Sequence, residues 1–161
     1  VVRGMPMGKR RNGATLGLTA LLVAGQAIAC TYEQIDIRTG AGVSTYSIEI
    51  ADDAAERAQG LMFRETMPRD HGMYFVYPTG RPVAFWMKNT PLPLDIIYIN
   101  ERGIVCSIAA DTTPFSEEAL PSGCAAQTVL ELNGGEAKAA GIRVGAPVRH
   151  PAVARPAWKC E

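Results

Sequence analysis

Residues 85–99, which read FWMKNTPLPLDIIYI, hold four polar side chains between two apolar runs. Lys88, Asn89 and Thr90 supply an amine, an amide and a hydroxyl, and Asp95 adds a carboxylate a few residues later. Such groups beside an aromatic surface suit a small polar ligand, for example a sugar or a carboxylate. The residue types therefore predict a small polar pocket here, although they do not identify its ligand.

Asp95 needs a partner, because side-chain alternation continues an apolar strand face through it. A buried carboxylate is costly unless it is paired or stays protonated. Arg64 is the partner that we favour, since the apolar LMF triplet before it would hold it near the core, and Lys88 is the alternative. Two interpretations stay open: Arg64 and Asp95 form an architectural brace, or they line a ligand pocket beside Trp86.

Methionine placement suggests a second chemistry. The methionines that follow residue 29 all lie in residues 62–87. Met62, Met73 and Met87, together with His71, could hold Cu(I) through thioether and imidazole ligands. Each of these methionines also lies in an apolar run, where methionine commonly fills irregular gaps in a core. We therefore expect no metal and no other cofactor, and keep a Cu(I)-binding protein as an alternative.

Motifs of the common catalytic classes are absent: the chain has no G-x-S-x-G, no H-E-x-x-H and no P-loop. Of the two histidines, His150 lies near the tail without an obvious nucleophile as its partner. Asp95 and Glu131 could form an acid–base pair, but any two carboxylates could be proposed in this way. We expect no catalytic residues, and an envelope enzyme that uses Asp95 and Arg64 is the alternative.

The first 29 residues have the pattern of a secretory signal peptide. Four basic residues precede an apolar segment that ends in Ala-Ile-Ala, a small-x-small cleavage pattern. Spanning a membrane takes about 20 strongly apolar residues, so we expect export, most simply to the periplasm, and no transmembrane segment in residues 30–161. Cys30 follows the cleavage pattern directly, and a lipoprotein anchored at Cys30 is the alternative. Ala27, where lipoprotein signals usually have leucine, argues against lipidation.

Charge argues against one class of partner. Once the four basic residues of the signal are removed, 12 basic and 16 acidic residues remain, a net charge of −4. No basic run interleaved with aromatic residues is left, so we expect no nucleic-acid partner.

The cysteines predict disulfides. All four follow residue 29 and none forms C-x-x-C, which argues against zinc and against a thioredoxin-like motif. An even number in an oxidising compartment favours disulfides. Cys106 lies in a predicted strand and Cys124 opens the next, so antiparallel pairing would bring them together. Cys30 and Cys160 would then join the two ends of the mature chain.

Alternation and turn signals place these residues in a single β-rich domain, residues 30–161. They predict a mainly β fold with two short helices, a compact antiparallel jelly-roll-like sandwich or barrel. Pro91 and Pro93 lack an N–H, so the segment around them should cross between two sheets in extended form. The predicted strands cover residues 45–50, 73–77, 83–88, 94–99, 104–109, 126–132 and 144–148, and the helices follow Asp53 and cover 134–140.

Several of these segments together resemble one family, domain of unknown function 192. They are GLMFR, GMYF, FWMKNT, PLDIIYI and VLEL, within a match over about residues 48–149. The resemblance implies a β-rich, jelly-roll-like sandwich, often in exported proteins, and brings no assigned activity, substrate or cofactor. It carries over a candidate binding site formed by Arg64, Trp86, Lys88, Asn89, Thr90 and Asp95. We therefore expect an exported, non-catalytic module that binds a small polar ligand or an envelope partner.

Overall fold

The computed structural model describes residues 30–160, so the predicted signal peptide lies outside the described residues. The chain forms nine strands and two helices within this range. In chain order they are β1 (Gln34–Thr39), β2 (Gly42–Ala51), α1 (Ala54–Gln59), β3 (His71–Arg81), β4 (Ala84–Phe85), β5 (Leu94–Asn100), β6 (Val105–Ala109), β7 (Leu120–Pro121), β8 (Ala126–Asn133), α2 (Glu136–Ala140) and β9 (Val148–Arg149). Among these elements, no helix has the length and apolar character needed to cross a membrane.

Seven strands form one curled sheet in the order β6-β5-β8-β3-β2-β1-β9, and β4 pairs with β7 in a small second sheet. The predicted mainly β fold with two short helices is confirmed. The expectation of purely antiparallel pairing is wrong at one place, because β2 and β3 pair in parallel. The connection through α1 and the loop after it returns the chain to the end where β2 started, as parallel pairing requires.

Side chains of the central strands alternate between two apolar clusters, one on each face of the sheet. Ile97 and Leu130 belong to one cluster, and Ile96 and Val129 belong to the other. All residues of β5 except the last are buried. A strand buried on both faces explains why its sequence reads as a nearly continuous apolar run.

Several strands differ from the sequence prediction. β1 was not predicted, although Ile35 and Ile37 alternate in it and are fully buried. The strand predicted over residues 83–88 is only two residues long, because the backbone turns at Asn89, which has a positive φ of 54°. The segment before Cys124, where no strand was predicted, contains β7, the partner of β4.

Helix α1 begins where the sequence predicted. Asp53 accepts a hydrogen bond from the Glu56 N–H at 2.8 Å, and the Glu56 carboxylate reaches back to the Asp53 N–H. This capping box fixes the start of the helix. Gly60 ends it with a φ of 50°, a conformation that side chains disfavour.

The cysteines are bonded in the pairs that the sequence predicted. Cys30 is bonded to Cys160 and Cys106 to Cys124, so the described residues contain no free cysteine. The first bond joins the two ends of the domain, and the second joins β6 to the segment before β8.

Candidate functional site

The segment between β4 and β5 crosses from the small sheet to the large one, as its prolines predicted. Its turn is fixed by backbone contacts: the Asn89 carbonyl accepts a hydrogen bond from the Phe63 N–H at 2.7 Å. The Thr90 hydroxyl donates to the Lys88 carbonyl at 3.1 Å, and Thr90 is buried. Asn89 and Thr90 therefore hold the crossing in place.

Asp95 is fully buried, and backbone amides satisfy its carboxylate. The carboxylate accepts from the N–H groups of Asp111 at 2.7 Å, Gly135 at 3.1 Å and Ala137 at 2.7 Å. Two of these amides belong to the start of α2, where free N–H groups favour an anion. Asp95 therefore fixes α2 and the loop after β6 to the sheet.

The predicted Arg64–Asp95 brace is wrong. Arg64 forms a bidentate ion pair with Glu49 of β2, with N–O distances of 2.6 and 2.9 Å. The hydrogen bond from Arg64 holds the pKa of Glu49 below its usual value. Both side chains are more than a third exposed, because the turn after α1 places Arg64 beside the outer surface of β2. An enzyme that uses Asp95 with Arg64 loses its geometric basis, and so does an acid–base pair with Glu131, which lies on the opposite face of the sheet.

A small cavity lies beside Trp86, between α1, β3, the crossing segment and β8. Its volume is about 40 Å³. The rings of Phe75 and Phe85 form part of its wall and meet edge to face, with their centroids 4.9 Å apart. Trp86 is 46% exposed and lies at the cavity mouth. Aromatic, polar and glycine residues meet in its lining, among them Gly60, Phe75, Phe85, Trp86, Thr90 and Glu131.

The six predicted site residues divide between this cavity and other places. Trp86 and Thr90 line it. Lys88 does not line the cavity, but its Nζ lies 5.1 Å from the centre of the Trp86 ring, an ammonium–aromatic contact. Three residues contribute to structure elsewhere, namely Arg64, Asn89 and Asp95.

Glu131 was considered from the sequence only as an acid–base partner of Asp95 and was left out of the predicted binding site. Glu131 lies in the middle of β8, between Met73 of β3 and Ile96 of β5, and is 4% exposed. Its Oε2 is the one buried side-chain oxygen or nitrogen without a hydrogen-bond partner among the described residues. Burial raises the pKa of this carboxyl to about 8. The available signal was a single acidic residue inside VLEL, on the same strand face as Val129.

Gly60 keeps the space above Glu131 open. A Cβ at this position would lie 3.1 Å from Cζ of Phe75 and 4.0 Å from Oε2 of Glu131. The positive φ of Gly60 also disfavours any side chain. The end of α1 therefore places bare backbone opposite the unpaired carboxyl.

Other grooves on the domain are larger, and two of them contain charged groups that are already paired. In the groove beside Cys30, Asp36 accepts two hydrogen bonds from Arg149, at 2.7 and 3.1 Å. In the groove that contains His71, the Nδ1 of His71 lies 2.8 Å from Asp70. The Trp86 cavity differs from these grooves because Glu131, which lines it, holds the one buried side-chain oxygen without a hydrogen-bond partner among the described residues.

The methionines considered as copper ligands take part in packing. Met73 and Met87 are buried in the same apolar cluster, and the Sδ of Met87 accepts a hydrogen bond from Thr112 at 3.1 Å. Met62 lines the Trp86 cavity, whereas His71 borders a different groove at the start of β3. Within residues 30–160, no group of three or more His, Cys, Asp or Glu side chains is arranged to hold a metal ion.

Comparison with known proteins places this architecture in one family. The family model of DUF192, described as an uncharacterized ACR, matches residues 35–150. A crystal structure from Sinorhizobium meliloti 1021, described as that of a proposed transcription regulator, is 38% identical with a TM-score of 0.70, and the match covers 75% of this chain and 95% of that one. A crystal structure of a protein of unknown function from Novosphingobium aromaticivorans DSM 12444 is 37% identical with a TM-score of 0.70, and the match covers 71% and 82%. Among curated proteins, none matches the chain.

Proposed function

The chain belongs to the DUF192 family, and we propose that it is an exported, non-catalytic module that binds a small polar ligand between Trp86 and Glu131. One observation carries the proposal: the buried Oε2 of Glu131 has no partner and faces a cavity with aromatic walls. Leaving a buried polar group unpaired costs about 1–3 kcal/mol. A ligand group that bonds this carboxyl would recover that cost on binding.

Export is supported by the cysteines and by the pattern of residues 1–29. Both pairs of cysteines are bonded, and stable disulfides are typical of oxidising compartments such as the periplasm. The bond between Cys30 and Cys160 also occupies the sulfur that a lipid anchor would need. A protein free in the periplasm therefore fits better than a lipoprotein.

Binding fits the cavity better than catalysis does. A pair of catalytic carboxylates, or a nucleophile with its base, would place a second reactive group beside Glu131. Among the residues that line the cavity, Glu131 is the one carboxyl, and the guanidinium of Arg57 donates to the carbonyls of Asp52 and Val76. The group that bonds Glu131 could also be a side chain of an envelope protein.

We do not extend the description of the Sinorhizobium meliloti protein to this chain. Residues 30–161 have a net charge of −4 (12 basic and 16 acidic residues), whereas binding to nucleic acid depends on neutralising phosphates with clustered basic residues.

The proposal is tested by screening small polar compounds against the indole signal of Trp86. The chain has two tryptophans, and Trp158 is held between the guanidinium groups of Arg38 and Arg149, at 4.3 and 4.5 Å from its ring centre. A Trp158→Phe variant therefore leaves Trp86 as the one fluorescent indole. We expect compounds from a library of amines, carboxylates, alcohols and sugars to shift its emission saturably. The Trp158→Phe,Trp86→Phe variant should lose this binding in calorimetry, and a library with no binder in any class would overturn the proposal.

A further inference from the structure

The cavity beside Trp86 admits only a small chemical group. Its volume of about 40 Å³ corresponds to roughly three water molecules. A sugar ring is too large to enter, so a ligand would insert a head group of a few atoms and leave the rest at the mouth. The head group would lie against Oε2 of Glu131, where Gly60 provides no side chain to fill the space.

Two kinds of head group could pair with an isolated carboxyl. An ammonium group would donate to the carboxylate, whereas a carbonyl or hydroxyl oxygen would accept from the protonated acid. A contact at Trp86 favours the ammonium group, because the Nζ of Lys88 already lies 5.1 Å from the centre of this ring and aromatic ring faces attract cations. Phe75, Phe85 and Trp86 all border the cavity.

The surroundings of Glu131 leave the carboxylate without a counter-ion. The ionisable groups on the packed elements are Arg57 of α1, Arg81 and Tyr77 of β3 and Tyr98 of β5, and Lys88 lies over the ring of Trp86. Arg57 lies over the ring of Tyr77 and donates to backbone carbonyls, and the Tyr98 hydroxyl donates to the Leu120 carbonyl. No ion pair to Glu131 forms among the described residues.

We propose that this cavity binds the ammonium head group of a small primary amine, which donates to Glu131 and lies against Phe75, Phe85 and Trp86. This inference rests on the proposed function and specifies its ligand class. No covalent step is involved. The amine stays protonated, and Glu131 gives its own proton to solvent when the ammonium group binds.

The proton balance makes this inference measurable. With a pKa of about 8, Glu131 is roughly nine-tenths protonated at pH 7 in the free protein. Binding an ammonium group should therefore release about 0.9 proton per ligand at pH 7. The apparent affinity should rise about tenfold from pH 6 to pH 7 and level off above pH 8.

The test uses three probes of similar size and different charge: ethylammonium, ethanol and acetate. Each is titrated at constant ionic strength into the ¹⁵N-labelled protein while the indole N–H resonance of Trp86 is followed. A probe of three heavy atoms binds with a Kd of about 0.5 mM at best. We expect ethylammonium to saturate the shift, ethanol and acetate to bind at least tenfold more weakly, and Glu131→Gln to weaken ethylammonium at least tenfold. Glu118→Gln, which removes an exposed carboxylate, should bind as the natural chain does.

The outcomes separate this inference from the proposed function. If ethanol or acetate binds as well as ethylammonium, or if Glu131→Gln binds ethylammonium unchanged, the ammonium assignment is wrong although the cavity binds ligands. If none of the three probes binds while the compound library yields a binder, the ammonium assignment is wrong. If neither the probes nor the library yields a binder, the proposed function is wrong as well. Should Glu131→Gln not fold, calorimetry of the natural chain in two buffers with different ionisation enthalpies decides. About one proton released per ethylammonium supports the assignment, and no release overturns it.

Discussion

Replacing Glu131 by Gln should change how the stability of the protein depends on pH. The pKa of this carboxyl is about 8 in the folded protein against an ordinary value of 4.5, a difference of about 3.5 pH units. Each unit corresponds to about 1.4 kcal/mol. Because the pKa is raised on folding, the unfolded chain loses its proton first, and the native state binds more protons between pH 4.5 and about 8. Stability therefore falls across this window and is constant again above it, for a total loss of about 5 kcal/mol.

Glu131→Gln removes the titrating group and leaves a neutral amide in the same place. The amide carries its own cost of about 1–3 kcal/mol for unpaired polar atoms, but this cost does not depend on pH. The free energy of unfolding of the variant, minus that of the natural chain, should therefore rise by about 2.5 kcal/mol from about pH 5 to pH 7. Only the change of this stability difference with pH reports on the ionisation of Glu131, because its absolute value also contains the cost of the buried amide.

Urea denaturation with the disulfides intact measures this difference at three pH values, about 5, 6 and 7. Glu118→Gln is the matched control, since Glu118 is exposed, and its difference should stay within about 0.5 kcal/mol at each pH. A difference for Glu131→Gln that does not change with pH would contradict the raised pKa. It would mean that Glu131 ionises normally, through a partner or through water that enters the cavity.

The remaining predictions concern the frame around the cavity. Asp95→Asn should cost about 2–4 kcal/mol in urea denaturation, because an amide cannot accept from all three backbone N–H groups, whereas Arg64→Ala should cost at most about 1 kcal/mol. Equal costs would contradict these roles. Breaking the Cys30–Cys160 bond, which spans 130 residues, by double alanine substitution should cost about 5 kcal/mol, against about 3 kcal/mol for Cys106–Cys124, which spans 18. The reverse order in guanidinium denaturation would show that unfolded-chain entropy does not dominate. Gly60→Ala should weaken ethylammonium binding at least tenfold in the indole titration, because its Cβ occupies the space beside Phe75 and Oε2, and unchanged binding would place the ligand elsewhere.

Much of the fold could be predicted because its signals are local. The alternation in β2, the apolar run of β5 and the Asp53 cap each indicate their own element. The parallel pairing of β2 with β3 could not be predicted, because it depends on where the chain goes after α1. Pairing of the cysteines followed from strand order, which the hydrophobic pattern supplies.

The site could be predicted only in part. Two residues of the predicted crossing segment, Trp86 and Thr90, line the candidate cavity, but the sequence does not show that backbone amides satisfy Asp95. A free backbone N–H at the first turn of a helix can pair with a carboxylate as well as an arginine side chain can, and any residue type can supply it. Glu131 was left out of the predicted binding site for a similar reason: whether an acid inside an apolar strand has a partner depends on distant chain segments, here α1 and the crossing segment.

Titration of the Glu131 side-chain carboxyl by ¹³C NMR, with and without saturating ethylammonium, would decide whether this carboxyl is an unpaired acid that receives an ammonium group. We expect a midpoint at about pH 8 in the free protein, which falls to about pH 5 or below when ethylammonium is bound. A midpoint near the ordinary value of 4.5 in the free protein, or one that ethylammonium leaves unchanged, would contradict this role for Glu131.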